Sequence, residues 1–222
     1  MALQKISFKV PPGLWGSFSN QANGLFINRA PFLNHMIARE AGELADDLGQ
    51  RQLSLRAKKH ISNMLQLQGA KSVNIEVERS TAHALNEVVS GANLVRDAFL
   101  SRLIIFLRSS DALLKYLEIP SEVGTFGDHL ERMPSSPMKA MEAVRDDPLF
   151  YVRNYVKERW ACGIYAVPLP RELDWAACYI EDKEVPGTKA HKEVQRQSAK
   201  LFEMLEAKAF EKAPIPKKGR AK

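Results

Sequence analysis

The chain has 222 residues, 45% of them hydrophobic, with a net charge of +6 and a pI near 9.3. Such a composition excludes a disordered polymer, and the length allows one large domain or two modest ones. Cys162 and Cys178 match no zinc spacing and read as thiols of a reducing compartment. The longest apolar run, Leu103–Leu107, is far too short for a bilayer span. The N-terminus MALQKISFKV runs straight into a strand pattern with no signal-peptide core. A soluble, cytoplasmic protein is therefore expected, and the surplus of Lys and Arg mildly favours partners that carry phosphate.

In chain order, Ile6, Phe8 and Val10 alternate with Lys5, Ser7 and Lys9, the period of a half-buried strand. Pro11, Pro12 and Gly13 stop it. Leu14, Phe18, Ala22 and Leu25 recur at helical spacing, Gly24 ends that helix, and Asn28 caps a second one lined by Phe32, Leu33, Met36 and Ile37. This helix is expected to continue through Leu44, with Gly49 and Gln50 as an interruption. Leu53–Leu67 is amphipathic and carries a basic cluster, Arg56, Lys58, Lys59 and His60, which fits either a phosphate-facing patch or a solvated helix face. Gly69 closes it.

The same plan then returns 67 residues further on. Val73, Ile75 and Val77 alternate with Ser72, Asn74 and Glu76. Leu85, Val88, Val89 and Ala92 make a helical face, Gly91 breaks it, and Phe99, Leu100, Leu103, Ile104 and Leu107 line the next helix. The copies align without a gap, with Val10/Val77, Gly24/Gly91, Arg29/Arg96, Phe32/Phe99, Leu33/Leu100 and Ile37/Ile104 identical. Such a repeat constrains the fold before any single element does.

Strand, helix, glycine turn and helix in this order resemble the ribbon-helix-helix family of DNA-binding proteins. Two copies in one chain resemble its two-unit, TraY-like relaxosome members more than its one-copy repressors. The resemblance covers residues 5–40 and 72–108. It implies a mostly α fold with a short β ribbon, built of tandem ribbon-helix-helix units within residues 1–118. In that family two strands pair antiparallel and four helices close over their apolar face, because one short unit has too little core alone. Pairing could occur within one chain, as a monomeric pseudo-dimer, or between two chains, as a homodimer. The outward side chains would be Lys5, Ser7 and Lys9 on one strand and Ser72, Asn74 and Glu76 on the other, read against base edges in the major groove of double-stranded DNA. Lysine can donate to guanine, asparagine can pair with adenine, and glutamate can accept from cytosine. Glu76 and Glu78 could equally repel DNA and leave the second copy as a pairing partner only. An unlike pair of strands predicts a non-palindromic site. The family also holds phosphate at the N-terminus of the second helix, which implicates Asn28 and Arg29 in the first copy and Arg96 in the second. Val95 is a poor cap, so that helix could start at Asn93.

Past Arg108, Ser109 or Ser110 caps a short helix over Asp111–Leu117. Residues 119–137 are rich in proline, glycine and serine and read as a linker, with a border near Pro134–Pro137. Residues 138–211 read as a small, mainly helical C-terminal domain for oligomerisation or partner contacts, with helices expected over Met138–Val144, Leu149–Trp160 and His191–Phe210. Residues 212–222 read as a basic, disordered tail. No catalytic constellation, metal-ligand set or cofactor loop is present, and the five histidines are scattered, so no enzyme, metal or cofactor is expected. The resulting expectation is sequence-specific DNA binding, as a transcriptional regulator or repressor or as an accessory factor that marks a site on a mobile element. The rival is a protein-binding module, such as an antitoxin or a subunit of a phage or mobile-element complex, that keeps the frame but holds a protein through its C-terminal half.

Overall fold

Alternating side chains commit two short segments to extended backbone, and each needs a partner for its N–H and C=O groups. They find each other. The computed structural model describes residues 2–120, 136–170 and 178–211. Within it β1 (Leu3–Val10) and β2 (Lys71–Glu78) pair antiparallel, with Lys5 opposite Glu76, Ser7 opposite Asn74 and Lys9 opposite Ser72. The pairing is thus intramolecular. The rest is mostly helical: α1 (Pro12–Gly24), α2 (Arg29–Leu48), α3 (Leu55–Leu67), α4 (Arg79–Gly91), α5 (Arg96–Arg108), α6 (Asp111–Tyr116), α7 (Pro137–Asp146), α8 (Phe150–Trp160) and α9 (Lys189–Glu211).

Each strand leads into a helix pair, and the pairs exchange partners. Helix α2 packs on α4 and β2, while α5 packs on α1 and β1. Each second helix is also hydrogen-bonded to the other half's strand. Asn34 Oδ1 accepts the Glu78 N–H at 2.8 Å, and the Ser101 hydroxyl donates to the Lys9 carbonyl at 3.5 Å. Ile6, Phe8 and Val10 from β1 and Ile75 and Val77 from β2 are buried with Leu14, Phe18, Leu33, Met36, Ile37, Leu85, Phe99, Leu103 and Ile104. Burial of a side chain of this size contributes roughly 1.5–3 kcal/mol, so the exchange makes one core out of two that could not stand alone.

The backbone repeats in detail. Leu25 and Ala92 hold φ,ψ of −94,7 and −92,6 at the C-caps of α1 and α4, and Phe26 and Asn93 follow at φ 55 and 52. The Ile27 N–H donates to Ala22 at 2.9 Å, as Leu94 does to Val89 at 2.8 Å. The left-handed turn residue in each copy is therefore two positions past the glycine on which the sequence reading rested. Gly24 and Gly91 are simply the last helical residues. Asn93 suits this conformation; Phe26 does not, since a Cβ crowds the following carbonyl there.

The copies part company around that turn. In the second copy Ala92 and Asn93 are covered by the chain after α2: the Leu53 N–H donates to the Ala92 carbonyl at 3.0 Å, the Asn93 amide to Leu53 O at 2.7 Å, and the Lys58 ammonium to Asn93 Oδ1 at 2.9 Å. Asn93 is thus a turn residue, and α5 begins at Arg96 with Val95 in the N-cap position. In the first copy the equivalent turn is bare, and Phe26 is 97% exposed. Helix α2 also runs to Leu48 and stops at Gly49 (φ 56), a turn beyond the expected end.

Helix α5 is buried on all sides from Ala98 to Phe106, as befits a helix apolar all round. Its one charge there, Arg102, donates to the carbonyl oxygens of Ile164, at 2.7 Å, and Val167. Residues 147–167 are further fastened to α2. The buried Glu40 carboxylate accepts from the Arg153 guanidinium and, at 2.7 Å, from the Tyr165 hydroxyl. Arg153 also holds both Asp147 oxygens at 2.7 Å, and Asp147 meets Arg39 at 2.6 Å. Burial pushes the Glu40 pKa up despite the arginine, and burial together with the Glu40 charge holds the Tyr165 hydroxyl well above the usual tyrosine range. The chain forms two compact units, Met1–Ile180 and Glu181–Lys222. Helices α7 and α8 therefore belong with the first unit and not to a separate domain starting at 138. Most of the expected 119–137 linker and the 212–222 tail lie outside the described residues.

Candidate nucleic-acid interface

The pleat sends successive side chains to opposite faces, so the face away from the core is set once Ile6, Phe8, Val10, Ile75 and Val77 are buried. Lys5, Ser7, Lys9, Ser72, Asn74 and Glu76 all lie on the other face and all are exposed. The structure thus brings the six expected reading residues together on one ribbon. The 67-residue repeat relates Ser7 to Asn74, and these two sit opposite each other, so the pseudo-twofold passes between them. Around that centre the chemistry is unequal. Lys5 faces Glu76 across the strands and Lys9 faces Ser72. A hydroxyl–hydroxyl hydrogen bond of 2.6 Å joins Ser7 to Ser72 diagonally. One strand offers two ammonium groups, and its partner offers an amide, a hydroxyl and a carboxylate.

The second helices begin at the ribbon's edges. Beside β1, the Arg96 guanidinium donates to the Ser7 carbonyl, and the Asp97 carboxyl takes the Lys9 N–H. Burial raises the Asp97 pKa, partly offset by that bond and by the charges of Arg96 and Lys9. Asn28 and Val95 occupy the N-cap positions of α2 and α5, and neither makes a side-chain cap bond. By contrast the Ser54 hydroxyl caps α3 at 3.0 Å and Ser110 caps α6 at 3.4 Å. In α5 the Ala98 N–H donates to the Val95 carbonyl at 3.0 Å, so it is the Arg96 and Asp97 N–H groups of α5 and the Arg29 and Ala30 N–H groups of α2 that stand without a side-chain cap at the positive end of the helix dipole. Pro31 removes one such donor from α2.

The two arginines are not free arms. Arg29 donates to the Ser19 hydroxyl at 2.9 Å and lies 5.9 Å from the Trp15 ring centroid. Arg96 is spent on a strand carbonyl. An anion at these helix starts would meet backbone N–H first and a fixed guanidinium second. Sequence reasoning passed over Asp97 and Ser101, which position α5 against β1; nothing in their spacing marks them, because their partners are backbone atoms of Lys9, 88 and 92 positions away. Helix α3 adds a cleft of about 280 Å³ at the Lys9 end, lined by Ser62, Leu65 and Gln66 with Val95 and Asp97. Of the basic cluster on α3, Lys58 is occupied internally by Asn93, while Arg56 and Lys59 are exposed.

No group of His, Cys, Asp and Glu among the described residues has the arrangement of a metal site, and no helix there is long and apolar enough to cross a membrane. The chain matches no known protein family, and comparison with curated proteins and with solved structures finds no match.

Proposed function

We propose that this protein binds double-stranded DNA through its two-stranded ribbon, laid in the major groove, as a tandem ribbon-helix-helix unit folded from one chain. The observation that carries the reading is the pairing of β1 with β2 in a register that points six polar side chains outward, over a core shared by both helix pairs. A ribbon of this width fits the major groove, and Lys, Asn, Ser and Glu side chains suffice to discriminate base edges. The uncapped starts of α2 and α5 would take phosphates on either side. Since Lys5 and Lys9 correspond to Ser72 and Glu76 across the pseudo-twofold, the preferred site is non-palindromic, and the protein has a direction on its DNA. Such a protein would serve as a transcriptional regulator or as a site-marking factor for a larger machine.

Glu76 and Glu78 favour a second reading, in which the ribbon side is silent and the chain holds a protein partner. Fluorescence anisotropy with random-sequence duplex at two salt concentrations separates the two. DNA binding predicts a steep loss of affinity as salt rises, with log K falling by about 0.9 per phosphate contacted for each decade of salt. Absence of binding at low salt would favour the protein-binding reading. Against a selected site, Lys5→Ala, Ser7→Ala and Lys9→Ala should reduce discrimination between sequences, whereas Arg29→Ala should weaken all sequences alike.

A further inference from the structure

Helix α3 ends at Leu67 and β2 begins at Lys71, so α3 is tethered to the end of the ribbon where Lys9 faces Ser72 and Val10 faces Lys71. The join is fixed. Gly69 takes the left-handed conformation (φ 64), its N–H donates to the Gln66 carbonyl at 3.0 Å, and the Ala70 N–H donates to the Leu65 carbonyl at 3.3 Å. Ala57, Ile61 and Leu65 are buried, which sets the rotation of the helix about its axis. Ser62 and Gln66 then line, with Lys9, the cleft at the ribbon's edge. Lys9 belongs to the outward face of the ribbon, so this side of α3 borders the face offered to a duplex. The one carboxyl in the cleft lining, Asp97, takes the Lys9 N–H.

The charge of this element has one sign. From Gly49 to Ile75 the sequence holds no Asp or Glu, although the whole chain has 26 of them. The same stretch carries Arg51, Arg56, Lys58, Lys59 and Lys71. Arg51 is engaged with the Asp47 and Leu48 carbonyls, and Lys58 with Asn93. Arg56 and Lys59 are exposed and make no ion pair among the described residues. Arg56, Lys59, Asn63 and Gln66 follow one another at spacings of three, four and three, so they form one exposed stripe that runs down to the cleft. Fold stability does not call for this arrangement. Arg56 and Lys58 stand in the first turn of α3, at the positive end of its dipole, where a carboxylate is favoured and none is present. An ordinary solvated face intersperses both signs.

We infer that α3 is a further DNA-contacting element, an arm that holds the sugar-phosphate backbone flanking the Lys9 end of the ribbon. The inference rests on the major-groove reading above, which lays the duplex against the face that the α3 stripe borders. Side chains of these types make backbone contacts: cationic Arg and Lys, with the hydroxyl and amide groups of Ser, Asn and Gln. Such contacts fix register and orientation but carry no sequence information. Helix α3 therefore adds affinity on one flank of the site and leaves the choice of bases to the ribbon.

The test compares the full-length wild type with the double variant Arg56→Gln/Lys59→Gln, by fluorescence anisotropy on a duplex that carries a selected site between long flanks. Both side chains are exposed, so the variant should keep the wild-type thermal transition. Loss of two phosphate contacts should lower the slope of log K against log salt by about 1.8 and weaken binding roughly tenfold or more at about 0.1 M salt, with base preference unchanged. Trimming the flank from one end of the duplex should erase the difference between the two proteins, and trimming it from the other end should not. A variant with the wild-type slope and affinity overturns the inference and leaves the ribbon reading intact. A difference that survives trimming from either end also overturns it, because the cations would then act through net charge and not from a place beside the ribbon. A weakened double variant alongside an Asn74→Ala variant as selective as the wild type would defeat the ribbon reading and leave the α3 contact standing. A wild type that binds no duplex at low salt overturns both.

Discussion

Replacing Arg153 by Met tests whether residues 147–167 are held to α2 by the buried charge cluster. The guanidinium and the Glu40 carboxylate are both almost fully removed from water, at 4% and 0% side-chain exposure. Met fills most of the volume but leaves Glu40 with the Tyr165 hydroxyl as its remaining donor and frees Asp147 from its bidentate partner. Breaking one side of a buried pair costs about 3–5 kcal/mol, because a carboxylate is left uncompensated in a low-dielectric site. Against a total stability of roughly 5–15 kcal/mol, that is a fifth or more of what holds the chain folded. Urea unfolding followed by tryptophan fluorescence reads it directly, since Trp160 lies at the end of the same helix. Glu40→Met added to Arg153→Met removes the stranded charge and should recover most of the loss. The loss in the single variant should also shrink as pH is lowered, because burial already raises the Glu40 pKa and a protonated Glu40 carries no stranded charge. A cost below about 1 kcal/mol, or a double variant less stable than the single, would refute the clasp.

Three further perturbations probe the same packing. Gly163→Ala would place a Cβ 1.7–1.8 Å from the Asp47 carboxylate, which is fixed by the Tyr165 N–H, and should cost about 3 kcal/mol in urea unfolding; a neutral result would mean that Asp47 is free to move. Phe26→Asn copies the residue that the second repeat uses at this turn and should raise stability by about 1 kcal/mol by relieving left-handed strain, with no packing lost at an exposed site; a lower thermal midpoint would contradict it. Glu40, Asp47 and Asp97 all have pKa values raised above their ordinary ones, chiefly by burial. The folded state then binds protons more readily than the unfolded state just above the ordinary carboxylate range, so stability gains as pH falls from neutral through the raised values. Glu40→Gln should flatten that slope in urea midpoints measured as pH is lowered from neutral, and an unchanged slope would remove Glu40 from the explanation.

Much of the first 108 residues is legible in the sequence because one physical signal is written there twice. Alternation over Ile6–Val10 and Val73–Val77 must bury one side of each strand, and the 67-residue spacing tells the two segments apart from chance. The six ribbon residues follow from parity alone. What the sequence hides is chemistry that depends on distant backbone. Glu40 lies 113 positions from Arg153, and on an amphipathic helix its spacing looks like a solvated face. Arg102 looks like a surface charge interrupting an apolar stripe until the carbonyls of Ile164 and Val167 arrive to receive it. The helices end at Gly24 and Gly91 as their spacing predicts, but the left-handed residues of the turns are Phe26 and Asn93, two positions on, where no glycine marks them.

The central claim is that the outward ribbon face meets base edges in the major groove. Methylation interference on a duplex selected from a random pool tests it most directly, because guanine N7 lies in the major groove and adenine N3 in the minor. The account predicts that N7 methylation within a short central block abolishes binding, that N3 methylation there is tolerated, and that Asn74→Ala erases the block's discrimination at one base pair at a cost of about 1–3 kcal/mol. Interference confined to the minor groove, or an Asn74→Ala variant as selective as the wild type, would contradict it.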